Sequence, residues 1–114
     1  MPPGVQCGYL SVLEDRAKPQ GRRIQIFVMR APAVSATPKP DPIVYLSGGP
    51  GGAGSFEVAT MIKHGLNAER DVIFVDQRGT HRAIPRLGCP GWEQFMYDAV
   101  DPACAARTTL TFSR

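Results

Sequence analysis

Ile43-Val44-Tyr45-Leu46-Ser47-Gly48-Gly49-Pro50-Gly51-Gly52-Ala53-Gly54 is a short apolar, β-prone run that stops abruptly in glycines. Asp71-Val72-Ile73-Phe74-Val75-Asp76 is a second apolar run, nearly uniform rather than alternating. That pattern marks a strand covered on both faces of a parallel sheet. Between the two, Ser55 is placed to cap a helix running to about Asn67, with Phe56, Ala59, Ile62 and Leu66 on its inner side. Strand, glycine turn, helix and strand make a βαβ unit, expected to be right-handed. The fold class is α/β.

Upstream, residues 6–13 and 23–30 read as strands, and in the second Ile24, Ile26 and Val28 share one face at period two. Asp15, Pro19 and Gly21 lie between them, so an antiparallel hairpin is expected. Residues 31–42 carry four prolines without periodicity, a surface connector rather than a domain boundary. Beyond Asp76 the chain becomes loop-like, with a short helix expected around Trp92–Val100 and a poorly ordered polar tail over 101–114. There are no internal repeats.

The 114 residues allow one domain or part of one. Hydrophobic residues at 43% and charged residues at 20% exclude disorder as the general state. The net charge is only +3, and the basic residues (Arg22-Arg23, Arg78, Arg82, Arg86) form no stripe that would neutralise phosphates. Nucleic acid is therefore not expected as a partner. No run approaches the roughly 20 apolar residues of a membrane-spanning helix. Met1-Pro2-Pro3-Gly4 shows no basic segment followed by an apolar one, hence no signal peptide and a cytoplasmic default. Cys7, Cys89 and Cys104 make neither a disulfide scaffold nor a zinc site, and no metal or cofactor is expected. Only Cys89 and Cys104 are placed to bridge, with unpaired thiols an equal alternative.

Two chemistries fit the glycine turn. Gly49-Pro50-Gly51-Gly52-Ala53-Gly54 satisfies G-x-G-x-x-G after a strand and before a helix, and Asp76 ends the next strand where a ribose-binding carboxylate belongs. Against dinucleotide binding, Pro50 lacks an N–H, and a hairpin precedes what should be the first strand. The other chemistry is an oxyanion hole, in which a backbone N–H at the end of a strand meets negative charge developing on a substrate oxygen. Glycine suits that task because it takes φ > 0 and lets a substrate approach the backbone.

Gly48-Gly49-Pro50-Gly51-Gly52 followed by Asp76-Gln77-Arg78-Gly79 resembles the proline iminopeptidase and tripeptidyl aminopeptidase branch of the α/β-hydrolases. These serine aminopeptidases carry an H/N-G-G-P-G-G turn and a D-Q/P-R-G-x-G-x-S turn. Cys7-Gly8-Tyr9-Leu10-Ser11-Val12-Leu13, with Asp15 and Pro19, is similar to the family's first hairpin. Cys89 and Cys104 sit where secreted members often have cysteines. The resemblance covers roughly residues 5–107. Three departures stand out: Ser47 replaces His or Asn, and His81 and Ala83 replace a Gly and a Ser.

The resemblance implies an incomplete α/β-hydrolase fold: an antiparallel hairpin plus one βαβ unit, with sheet order 1-2-4-3. Residues 1–114 would be the N-terminal part of a single domain. It implies peptide bond hydrolysis through an acyl-enzyme in the parent, with a peptide substrate and with Gly49 and Gly48 in the oxyanion turn. The Gly49 N–H is then expected to be unpaired by protein. No G-x-S-x-G occurs in the chain, so nucleophile, acid and His of the triad are all missing and no activity of its own is expected. A non-catalytic remnant or partner-binding module remains an alternative, as does a split enzyme completed by a second chain. Strand 43–46 would be an open apolar edge, inviting self-association. His64 reads as a solvated helix residue, and His81 as a base without a nucleophile. Asp76 and Arg78 read as residues that hold the turn, Trp92 and Tyr97 as packing residues, and Asp98 and Asp101 as solvated.

Overall fold

The computed structural model describes residues 2–49 and 51–88. Its elements in chain order are β1 (Gln6–Leu13), β2 (Arg23–Ala31), β3 (Ile43–Leu46), α1 (Gly54–Lys63) and β4 (Val72–Val75). The strands form one mixed sheet in the order β1-β2-β4-β3, as expected. β1 and β2 pair antiparallel from Gln6↔Arg30 to Leu13↔Arg23, β2 pairs antiparallel with β4, and β3 pairs parallel with β4. The architecture is α/β.

Alternation along β2 sorts its side chains between two apolar layers. Phe27, Met29 and Ala31 join Val72 and Phe74 against Val58 of α1. Ile24, Ile26 and Val28 face the other way, with Val12, Ile73 and Val75 beside them. Edge-on aromatic packing of Tyr9 on Phe27, at 5.3 Å between ring centroids, extends the first layer across the hairpin.

The proline-rich connector is tied down. Val34, Ser35 and Lys39 N–H groups donate to the carbonyls of Asn67, Ala68 and Glu69. The buried Asn67 amide donates back to the Pro32 carbonyl at 2.8 Å. Asp71 accepts from the Ala33 N–H and from Arg30, both at 2.8 Å, which holds its carboxyl below the usual carboxylate range. Connector and β4 entrance are thereby clamped to the end of β2.

The helix differs from expectation in both limits and face. It starts at Gly54 with Ala53 as N-cap, and no side chain of that residue caps it. Phe56 and Ala59 are exposed, whereas Val58, Met61, Ile62 and Leu66 pack inward. It ends at Lys63, well short of Asn67, because Gly65 takes φ +79°. There the Gly65 N–H donates to the Ile62 carbonyl at 2.9 Å and the Leu66 N–H to the Met61 carbonyl at 3.1 Å. These two bonds are a Schellman closure, which satisfies carbonyls the helix would otherwise leave open.

β3 is the edge strand of this sheet. Val44 and Leu46 are 57% and 63% exposed, on the face shared with Ile73 and Val75. Cys7, in β1, is disulfide-bonded. Cys89 and Cys104 lie outside the described residues, as do Pro50, the helix expected near Trp92–Val100 and the tail 101–114. Among the described residues, no helix is long and apolar enough to cross a membrane.

The glycines at the start of α1 and just past its end do different jobs. A Cβ on Gly54 would lie 2.7 Å from the Val75 carbonyl oxygen and 2.8 Å from its nitrogen, whereas one on Gly65 meets nothing within 4 Å. Gly65→Ala should therefore cost only the left-handed backbone term, about 1 kcal/mol. Gly54→Ala must push α1 off β4 and should cost about 2–3 kcal/mol. Urea unfolding of the two variants checks the order.

Candidate functional site

The glycine turn leaves the carboxyl end of β3, beside the carboxyl end of the parallel β4. In open parallel sheets this is the end where ligands bind. Gly49 and Gly51 take φ +69° and +81°, with open space where a Cβ would be, so the demand on them is one of backbone conformation. Gly52 is constrained by contact: a Cβ there would lie 2.2 Å from the Gly48 carbonyl oxygen and 2.8 Å from Ser47 Oγ. The turn folds back on itself, and the Gly52 N–H donates to the Gly49 carbonyl at 3.2 Å. Gly48 and Gly49 are both exposed. Among the described residues, the Gly49 N–H donates to no acceptor.

Asp76, at the end of β4, is fully buried. One carboxylate oxygen accepts from the Ser55 N–H at 2.9 Å and the other from Ser55 Oγ at 3.0 Å. Burial pushes its carboxyl above the ordinary value, against the pull of the Ser55 bonds and of the Arg82 N–H and charge. The carboxylate meets the N-terminal turn of α1, where unpaired N–H groups and the helix dipole favour negative charge. Ser55 is thus not its own helix's cap but the ligand of one supplied from another strand.

This argues against Asp76 as the ribose-binding acid of the dinucleotide alternative. An acid reading a ribose must present a carboxylate oxygen to the ligand. Asp76 has no exposed surface, and both of its oxygens are engaged by Ser55.

Two further side chains brace the same end. Gln77 Nε2 donates to the Ser47 carbonyl at 3.0 Å, clasping the turn after β4 to the glycine turn. Arg78 donates to the carbonyls of Leu13 and Glu14, fastening that turn to the hairpin. Asp76 and Arg78 hold the turn as expected, although Arg78 does so through backbone carbonyls rather than a salt bridge.

The chain then doubles back, and Ile84 exchanges two backbone hydrogen bonds of 2.8 Å with Gln25 of β2. Inside this loop Arg82 is 4% exposed, its guanidinium 4.9 Å from the centroid of the Phe27 ring. His81 sits at φ +30°, in the left-handed region. It occupies the position where the motif set out above has glycine, which accounts for that preference in conformational terms. The His81 ring lies 4.3 Å from that of Phe56. Burial, with Arg82 and Arg86 nearby, lowers its pKa to about 4. At neutral pH it is an uncharged imidazole. His64 caps the exposed end of α1, its Nδ1 2.8 Å from the Thr60 carbonyl oxygen.

The structure thus brings together Gly48, Gly49, Ser55, Asp76, Gln77 and His81 at one end of the sheet and leaves His64 elsewhere. Ser55 as the partner of Asp76, and the burial of Arg82, were missed from sequence. Trp92, Tyr97, Asp98 and Asp101 lie outside the described residues. Among the described residues, no group of three or more His, Cys, Asp or Glu side chains is placed to hold a metal.

No family model matches the chain. Over 102 residues, 84% of its length, it is 30% identical to the tripeptidyl aminopeptidases of Streptomyces coelicolor and Streptomyces lividans. Those residues make up 19% of each relative, so the chain spans about a fifth of the length of the curated relatives it matches. The match supports a peptidase-related origin.

Asp76→Ala strands the Ser55 N–H and hydroxyl and should cost about 1–3 kcal/mol. Asp76→Asn keeps an amide oxygen for the Ser55 N–H and should cost less. Chemical denaturation at neutral pH ranks the two.

For His81 the sign follows from its depressed pKa. The unfolded chain takes up the proton near pH 6.5 and the folded chain only near 4, so stability is fully present above about 6.5 and is lost as pH falls toward 4. His81→Asn, which tolerates the left-handed backbone, should flatten the fall in unfolding midpoint between pH 7 and 5. An unchanged slope would assign the pH dependence to other groups.

Proposed function

We propose that the chain is the amino-terminal segment of an α/β-hydrolase of the serine aminopeptidase type. Its glycine turn supplies half of an oxyanion hole for peptide bond hydrolysis through an acyl-enzyme. The Gly49 N–H is the donor, and Gly48 shapes the approach to it. The observation that carries this reading is the clasp between the two turns at the carboxyl ends of β3 and β4. A positive-φ glycine whose N–H meets no acceptor among the described residues is held there by the Gln77–Ser47 and Asp76–Ser55 bonds. Electrostatic stabilisation of an oxyanion needs a donor fixed in advance, and such a clasp fixes one. The similarity to the two tripeptidyl aminopeptidases supports a peptidase-related chemistry.

The chemistry is divided. This segment offers a donor, while the nucleophile, the base and its orienting acid have to come from further polypeptide, since the chain contains no G-x-S-x-G. His81 does not substitute for the base, because without an adjacent nucleophile its neutral imidazole has no proton to take. The exposed edge of β3 is where additional strands of such an enzyme would pair, and in their absence a second copy of this chain.

The test is complementation. The chain alone should neither hydrolyse alanyl- or prolyl-arylamides nor be labelled by a fluorophosphonate. Mixed with a tripeptidyl aminopeptidase lacking its own first fifth, it should restore hydrolysis. Gly49→Ala, which disturbs the φ +69° backbone, should lower kcat by about 100-fold with little change in KM. Labelling of the chain alone, or full activity of Gly49→Ala, would overturn the proposal.

A further inference from the structure

Beside the glycine turn, a cavity of about 570 Å³ opens between the hairpin and the end of β4. Its apolar wall includes Val12, Ile26 and Val75, and Arg16, Arg23 and Arg78 line it as well. Gln77, which clasps the glycine turn through Ser47, also lines it, so one side chain touches both cavity and turn.

None of the three arginines makes an ion pair among the described residues. Arg23 donates to Ser11 Oγ and to the Ser11 carbonyl, both at 3.0 Å. Arg78 donates to the carbonyls of Leu13 and Glu14. All these acceptors are neutral. Among the described residues Arg16 makes no hydrogen bond or ion pair. Of the nearby carboxylates, Glu14 pairs with Arg22 while its charge also acts on Arg78, and Asp15 pairs with Lys18; neither lines the cavity. Three like charges around a concavity with an apolar wall concentrate a positive field there. Guanidinium groups are planar forks that match a carboxylate two bonds at a time.

We propose that this cavity is a carboxylate-binding subsite. It takes the acid group of a peptide on Arg16, Arg23 and Arg78, and an adjoining aliphatic side chain against Val12, Ile26 and Val75. That the carboxylate belongs to a peptide rests on the function proposed above; that the cavity selects a carboxylate does not. The site would favour peptides presenting an acidic group a short distance from the bond beside Gly49.

The experiment is a titration of the full chain, labelled with ¹⁵N, by N-acetyl-leucine and by its amide, following the arginine Nε–H signals. The acid should bind with shifts confined to Arg16, Arg23 and Arg78, and at least about tenfold more tightly than the amide. Raising the salt from about 0.05 to 0.5 M should weaken it several-fold. Because Arg23 and Arg78 also brace the hairpin, Arg16→Gln is the decisive variant. It breaks no contact in the fold, so it should leave the unfolding midpoint unchanged while weakening the acid about three- to tenfold. Arg23→Lys, which keeps the charge but loses the fork, should weaken it as well. Equal binding of acid and amide, unaltered affinity in Arg16→Gln, or tighter binding of inorganic phosphate than of the acid would each overturn the assignment. Two acetylated peptides then identify the source: one with glutamate and an amidated C-terminus, the other neutral with a free C-terminus. Binding of either supports a peptide carboxylate, and binding of neither overturns it. None of these results depends on hydrolysis, so failure here and failure of complementation are distinguishable.

Discussion

A single buried carboxylate organises this end of the molecule. Asp76 terminates β4, and its two oxygens take the N–H and the hydroxyl of Ser55. A charged group without exposed surface survives only where hydrogen bonds and favourable dipoles replace water. The N-terminal turn of α1 provides both. Because Ala53 brings no capping side chain of its own, the helix start is completed by a residue from another strand. Its cap is therefore a tertiary contact. Gly54 permits that contact by letting the helix backbone come against Val75, and the position of α1 fixes where the glycine turn must end.

Around this anchor the remaining polar contacts converge instead of scattering. Gln77 holds the glycine turn, Arg78 holds the hairpin, and Ile84 closes on β2. Three segments distant in sequence are thus joined at the carboxyl ends of β3 and β4. The basic side chains there are arranged without matching acids on the cavity side. His81, whose pKa is lowered to about 4, adds no further positive charge at neutral pH. The result is a concave surface with a positive field next to an exposed glycine backbone, a combination suited to anionic or developing-negative groups.

The sheet was legible because its signals are local. Alternation in β2 and the apolar runs of β3 and β4 come close to the observed strands, while their order 1-2-4-3 came from the family resemblance and not from local pattern. The glycine turn and its neighbour at Asp76 were legible for the same reason. The helix face was not: Ser55 looks like a local cap but spends its side chain on Asp76, so the helix starts earlier and Phe56 and Ala59 turn outward. Its end was marked by Gly65 after Lys63 and His64, a stop signal that the apolar spacing through Leu66 concealed. The disulfide at Cys7 and the burial of Arg82 follow from three-dimensional proximity, which carries no sequence pattern. The same holds for Asp76: an acid after a strand looks the same in sequence whether it faces a ligand or a helix.

The precision of the turn does not come from the sheet alone. β3 contributes four residues, paired on one side only in this sheet. A ladder that short, at a sheet edge, is the part of a fold that opens most readily. What holds the Gly48–Gly49 backbone in place is therefore the set of side-chain clasps, Gln77 to Ser47 and Asp76 to Ser55, both of which reach it from β4 and its turn. Pairing on the exposed edge of β3, by whatever strand, would add backbone hydrogen bonds directly upstream of that turn. In the proposed enzyme, assembly of the sheet and preorganisation of the oxyanion donor are then one event, because the strand that pairs with β3 also stiffens the backbone that presents the Gly49 N–H.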